Sequence, residues 1–554
     1  MGMIARRLAA LMLLLLLAAG AMARADTLYT NANGYTLDGT GALLRFRTLV
    51  VGDDGRVKAI LPAEAALPAG TRIDMDGATL WPGLIDAHGH VMGLGELRLQ
   101  IDLNGTTSLA EALARVQAGL PASGWVLGSG WNQERWAQAG KPLGRFPTAA
   151  ELDAATGSRP AFLSRVDGHA GWANSAALAA AGITAATRDP AGGRIERDAA
   201  GNPTGVLVDN AMDLITRIIP ADDPARGDLV LETALKTMAS VGLTGVHDAG
   251  IDAATWARYV RFAEQGRLTA RIYAMAMGPA NVKAIAPKGP IPWGWDDRLA
   301  LRAMKLVSDG ALGSRGAYLL APYADMPGTR GLQIIPAAEL RRLIGDASAR
   351  GFQVNVHAIG DAANRSAMDG FAALPAGQRA ALRHRNEHAQ ILDMGDLHRF
   401  AATGVIASMQ PTHATSDKGM AEARLGEARL GGAYAWAALK ASGAQLALGS
   451  DFPVEPPEPM FGIHAAVTRQ SRDGLPAGGW RPWERLTLTD ALAGFTLWAA
   501  RAGHAERQVG TLEAGKWADF ITLAADPFTA PAASLWQIKV TGTWLAGQRV
   551  FTAP

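Results

Sequence analysis

The chain has 554 residues, of which 49% are apolar and 19% charged, with a formal net charge of +2. That length calls for more than one domain or a barrel with insertions, and the balanced, scattered charge gives no footprint for nucleic acid or a membrane surface. Cysteine is absent, which excludes disulfides, thiolate metal sites and a cysteine nucleophile and leaves His, carboxylate and Lys for metal chemistry. In chain order, two arginines in Met1–Arg7 precede the apolar stretch Leu8–Ala21 and the small residues of Ala21-Met22-Ala23-Arg24-Ala25. This is the order of a secretory signal peptide. Cleavage is expected after Ala25, with 1–25 as the signal and a periplasmic or otherwise secreted mature protein. The apolar run is short for a membrane span.

Residues 26–82 read as short strands and turns, with Asp53-Asp54-Gly55 as a hairpin turn between Thr48–Val51 and Arg56–Ile60. The far C-terminus, about 505–554, reads alike. Two β pieces too small for separate cores predict one composite β-sandwich domain. Between them, strand-like runs alternate with stretches of helical periodicity such as Ala337–Arg350 and Ala433–Ser442. The runs are Gly83–His90, Val241–Asp248, Thr269–Ala276, Leu301–Val307, Phe352–His357, Leu382–His388, Gly404–Gln410 and Gln445–Asp451. They predict an α/β fold, a (β/α)8 TIM-like barrel over 83–504, with its active site at the C-terminal ends of the strands. The gap at about 95–235 is far too long for one crossover helix and predicts an inserted α+β subdomain over the barrel mouth.

The polar residues at the run ends carry the chemistry. Alternate residues of a strand share a face, so His88 and His90 project together, and two converging imidazoles suit a divalent metal such as zinc. Lys305 falls late in the fourth run, His357 ends the fifth, His388 the sixth and Asp451 the eighth. This order of His-x-His, Lys, His, His and Asp resembles the metal-dependent amidohydrolase superfamily. The surrounding words are similar to its amidohydrolase-3, YtcJ-like branch, which includes N-substituted formamide deformylases. They are Pro82–His90, Asp167–Leu178, Lys305–Arg315, Val356–Asp361, Glu387-His388, Gly449–Pro453 and Gly510–Phe520.

The resemblance implies that His88, His90 and Asp451 bind one divalent metal and His357 and His388 a second. It also implies that Lys305 bridges them as a carbamate formed with CO₂, since a free ammonium cannot ligate. One or two metals per chain fit the pattern, with zinc favoured by the nitrogen ligands and iron, manganese or cobalt open. A lysine paired with Asp309 is the structural alternative. The expected function is that of an exported amidohydrolase cleaving a non-peptide C–N bond of a small amide or N-substituted formamide. A metal-activated hydroxide would attack and Asp451 would serve as general base and acid. Deamination, cyclic-amide opening and ester hydrolysis use the same site, and a non-catalytic periplasmic binding protein is the reading from another class. His169, Arg315 and Trp131 are candidate substrate contacts; His247, Asp248, His413 and Asp86 are candidates for a supporting role. No nucleic-acid partner, and no membrane partner after signal cleavage, is expected; a homodimer is left open.

Overall fold

The computed structural model describes residues 25–554 apart from 139–140, 166–169, 191–192 and 221–223. The expected signal segment, all but Ala25, and the candidate His169 lie outside the described residues. Among the described residues no helix is long and apolar enough to cross a membrane. The chain divides into two compact units, one of Leu235–Pro554 with the chain up to Val91, the other of Met92–Ala234.

All eight strand-like runs form strands: β1 (Leu84–Gly89), β2 (Leu243–Ile251), β3 (Arg271–Met277), β4 (Leu299–Val307), β5 (Gln353–Ala358), β6 (Arg385–His388), β7 (Ile406–Met409) and β8 (Leu446–Leu448). Each pairs in parallel with the next. A parallel bridge between Gly89 and Phe452 joins the end of β1 to the segment after β8, so the sheet is a nearly closed eight-stranded barrel. Strands covered on both faces read as continuous apolar runs rather than as alternation, and Ala274, Met275 and Ala276 of β3 are fully buried. The helix Ala337–Ala349 between β4 and β5 turns Leu340, Ile344 and Ala347 inward at the helical spacing of one face.

The barrel closes at its functional end. Asp451 N–H donates to His88 carbonyl oxygen and His90 N–H to that of Phe452, both at 2.7 Å. Gly89 is required here: a Cβ would stand 2.6 Å from the Phe452 ring. Gly449 is required on the other side of the seam, where a Cβ would lie 2.4 Å from Asp86 Oδ1.

Strands from both chain ends share one six-stranded sheet. Its order is Gln548–Thr552, Val540–Leu545, Phe520–Leu523, Thr79–Pro82, Asn33–Leu37 and Leu43–Phe46. A four-stranded sheet holds Val57–Leu61, Thr48–Val51, Thr27–Thr30 and Thr71–Asp74. Tyr29, Phe46, Leu49 and Val57 share a buried cluster with Leu512, Phe520 and Trp544, and the Phe520 and Trp544 rings stack at 4.5 Å. Asn33–Leu37 and Thr71–Asp74 are strands that the sequence did not suggest: the first is nearly all buried and the second fully exposed, so neither alternates.

The unit Met92–Ala234 contains a six-stranded mixed sheet running Gly193–Arg197, Pro203–Asp209, Ala170–Ala173, Ala161–Arg165, Val126–Trp131 and Ile101–Asp102. Its helix Ala149–Thr156 opens with a capping box between Thr148 and Glu151. Trp131, Trp136 and Trp172 cluster with ring centroids 6.1–6.2 Å apart. The side chain of Trp131, a candidate substrate contact, is fully buried in this unit's core, and its indole N–H donates to Leu163 carbonyl oxygen at 2.7 Å.

Candidate metal centre

At the C-terminal ends of the barrel strands, β1 delivers His88, β6 His388 and the segment after β8 Asp451. Ligand atoms of these three buried residues all lie within 4.8 Å of one another. The backbone is forced into place to do this: His388 has φ 73° and Asp451 φ 62°, left-handed conformations that disfavour a side chain and cost about 1–3 kcal/mol each. Buried Asp86 braces the seam. It accepts from the Ser450 hydroxyl at 2.6 Å, from Ser450 N–H at 3.1 Å and from His88 N–H at 3.0 Å, tying β1 to the segment that carries Asp451.

Charge and hydrogen bonding leave the imidazole nitrogens ready to ligate. His88 Nδ1 lies 2.6 Å from Glu387 Oε2. Burial, then the Lys305 ammonium, pushes the His88 pKa down to about 4 against the pull of Glu387. The neutral ring therefore donates from Nδ1 and presents the Nε2 lone pair. His388 repeats the pattern: burial and then its histidine neighbours hold it well below the ordinary value, and Nδ1 is 2.9 Å from Gln410 Oε1. Asp451 Oδ1 stands 3.1 Å from His90 Nε2 and 3.5 Å from His88 Nε2. Burial raises the Asp451 carboxyl, but the histidines around it prevail and hold it down at about 2.

His357, ending β5, has its ring centroid 4.5 Å from that of His388. Burial, then Lys305, depresses it to about 3. Its Nε2 is buried without a hydrogen-bond partner; the nearest carboxylate oxygen, on Asp309, is 3.6 Å away. Lys305 Nζ lies 3.3 Å from His88 Nε2, and burial lowers its pKa to about 8 against Glu387 and Asp451, so an appreciable fraction is neutral near physiological pH. Asp309 does not anchor Lys305 here. Its carboxylate accepts N–H groups of Ile359, Gly360 and Tyr318 at 2.8–3.0 Å and holds together the loops after β4 and β5.

Deprotonated imidazole nitrogens, a carboxylate, an orphaned buried Nε2 and a softened lysine fit a divalent cation. The six residues of the sequence pattern all line one cavity of ≈ 450 Å³, together with Met277, Leu312, Gln390, His413, Asp417, Met420, Val454 and Glu455. The converging set takes His88 and Asp451 from one expected ligand group and His388 from the other. Arg315 is not among the lining residues. It makes a two-pronged ion pair with Asp325 at 2.9 and 3.2 Å, which braces the loop after β4.

Of the inward-facing support, the sequence suggests His247 but not Arg385. Fully buried Arg385 on β6 places Nε 2.8 Å from Glu387 Oε1 and donates from Nη1 to His247 Nδ1 at 2.8 Å. Burial alone would raise the Glu387 carboxyl; Arg385, His88 and Lys305 together hold it well below the carboxylate range. A chain His247–Arg385–Glu387–His88 thus fixes the first ligand from inside the barrel. The signal was the run of polar residues Arg383–His388 inside a strand otherwise expected to be buried.

The amidohydrolase family model Amidohydro_3 matches residues 71–551. YtcJ of Bacillus subtilis (strain 168), which is named as an amidohydrolase, is 33% identical over 90% of this chain and 95% of its own. The N-substituted formamide deformylase of Arthrobacter pascens is 28% identical over 94% of this chain and 97% of its own. A crystal structure of a metal-dependent hydrolase from Pyrococcus horikoshii OT3 superposes with a TM-score of 0.76 at 26% identity, covering 92% of this chain and 99% of that one. The chain belongs to the amidohydrolase family, in its YtcJ-like branch, and is a hydrolase.

Proposed function

We propose that this protein hydrolyses a non-peptide C–N bond of a small amide-type substrate, in the manner that the name of the formamide deformylase describes for that relative. The observation that carries the reading is the buried convergence of His88, His388 and Asp451 beside Lys305 at the floor of one cavity. Balanced at neutral pH, the reaction takes an amide and one water to a carboxylate and an ammonium: the C–N bond breaks and the new C–O bond comes from water. His88, His90 and Asp451 would hold one zinc ion and His357 and His388 a second, and Lys305, as a carbamate, would supply a further ligand. Bound zinc supplies a water acidified toward neutrality and a Lewis acid for the carbonyl.

The chain's own groups do the rest. Asp451, held anionic, is placed to accept a proton and to return it to the departing nitrogen, which must be protonated to leave. Glu387 and Gln410 keep His88 and His388 in the tautomer that points Nε2 into the cavity. The arginine-rich start followed by an apolar run supports export to a periplasm, and the substrate is the one partner this reading requires.

The test is turnover of N-substituted formamides and simple amides by protein loaded with zinc and bicarbonate, read as amine release. Amine release that a chelator abolishes and zinc restores is expected. Turnover indifferent to chelator, or confined to esters, would overturn the reading.

A further inference from the structure

We propose that the cavity wall formed by Asp417 and Glu455 is an ammonium-recognition subsite, so that the preferred substrates carry a protonated amine. The statement about substrates rests on the amide reading above; the statement about binding does not. The described lining of the cavity holds three carboxylates, Asp417, Asp451 and Glu455, against a single lysine, Lys305. Asp451 belongs to the converging ligand atoms; Asp417 and Glu455 do not.

Asp417 is fixed by neutral donors. The Tyr434 hydroxyl at 2.8 Å and Gln390 Nε2 at 3.2 Å both donate to Oδ2, leaving Oδ1 outside that network. Burial raises the Asp417 carboxyl. Burial also raises that of Glu455, against a Ser416 hydrogen bond and His413, with Asp417 adding repulsion and Arg472 a weaker opposing pull. Arg472 shares with Glu455 an adjacent pocket of ≈ 140 Å³, yet its guanidinium sits 4.4 Å over the Phe461 ring. The ion pairs among the described residues include neither Asp417 nor Glu455.

Both carboxylates are half-buried and neither has a cationic partner at ion-pair distance among the described residues, so this wall presents negative charge for a ligand to meet. An independent observation points the same way. His413 is 9% exposed and lines the same cavity. Its Nε2 has no hydrogen-bond partner and stands 3.7 Å from Asp451 Oδ2. A buried orphan nitrogen next to the ligand carboxylate is a polar group waiting for a ligand. Met277, Leu312, Met420 and Val454 supply apolar wall for a short stem. A substrate carrying a carboxylate would meet like charge there and no second cation among the described lining residues.

The test is calorimetric binding of n-butylammonium, n-butanol and butyrate to the metal-loaded protein, without turnover. The ammonium is expected to bind at least about tenfold more tightly than the alcohol, a difference of about 1.4 kcal/mol, with butyrate weakest. Glu455→Gln and, separately, Asp417→Asn are expected to remove most of that preference. Glu455→Gln keeps the side-chain shape, so it carries the test if Asp417→Asn fails to fold. Equal binding of ammonium and alcohol, or a preference intact in both variants, overturns the proposal. Turnover separates the two readings. Equal hydrolysis of N-(4-aminobutyl)formamide and N-pentylformamide sinks the charge preference and leaves the amidohydrolase. Ammonium binding with no amide hydrolysed sinks the amide reading and leaves the subsite.

Discussion

Two buried regions rich in ring nitrogens behave in opposite ways. In the unit Met92–Ala234 each indole of the tryptophan cluster has its partner: Trp131 with Leu163, Trp136 with Thr106 and Trp172 with Thr148, at 2.7–3.0 Å. At the barrel mouth the Nε2 atoms of His357 and His413 are buried and have none. A folded chain satisfies its buried polar groups unless something else is to satisfy them. The first region is therefore closed on itself, and the second leaves nitrogen atoms available to the proposed metal and ligand. The backbone agrees, since the left-handed residues His388 and Asp451 lie in the second.

The comparison breaks most sharply at Asp451. Asp451→Ala is expected to lower turnover by about 10²–10⁴-fold, the usual range for a lost acid–base group, or further if the metal leaves with it; steady-state kinetics with metal analysis reads both. In the closed region, Trp131→Ala is expected to cost about 3–5 kcal/mol of stability. Denaturant unfolding measures this, and a change in substrate KM without loss of stability would return Trp131 to the pocket wall. Glu387→Gln probes the support beneath the open region. It weakens the acceptor behind His88 Nδ1 and is expected to reduce metal affinity about 10–100-fold, read by chelator competition.

A smaller effect distinguishes the regions by pH. His88 and His357 are held neutral by burial, at about 4 and about 3 in the fold, against about 6.5 in the unfolded chain. Between those values the unfolded chain binds more protons, so metal-free protein is expected to lose stability as pH falls from 6.5 toward 4. Above 6.5 these two groups contribute no slope. The tryptophan cluster contributes none at any pH. Unfolding at stepped pH, in the metal-free chain and in His357→Phe, checks this through a shallower acid slope in the variant.

The barrel was legible because most of its strands, buried on both faces, read as largely apolar runs, with the polar sixth strand the exception, and all eight lie where the strand-like runs do. The candidate metal ligands stood out because each lies at or near the end of such a run, and His88 and Asp451 do meet. Burial and partners were not legible. Nothing in the sequence distinguishes Trp131 in a core from Trp131 on a pocket wall, or pairs Arg315 with Asp325 rather than with a ligand. Arg385 and Glu387 look like surface charges until the barrel turns them inward. Asp417 and Glu455 belong to separate segments that only the fold brings to one cavity.

The most direct test of the account is the divalent metal content of the purified chain and of His88→Ala, measured by elemental analysis after loading with zinc and bicarbonate. The account predicts about one or two metals per chain and at least one fewer in the variant. Equal content in both proteins, or none in either, would contradict it.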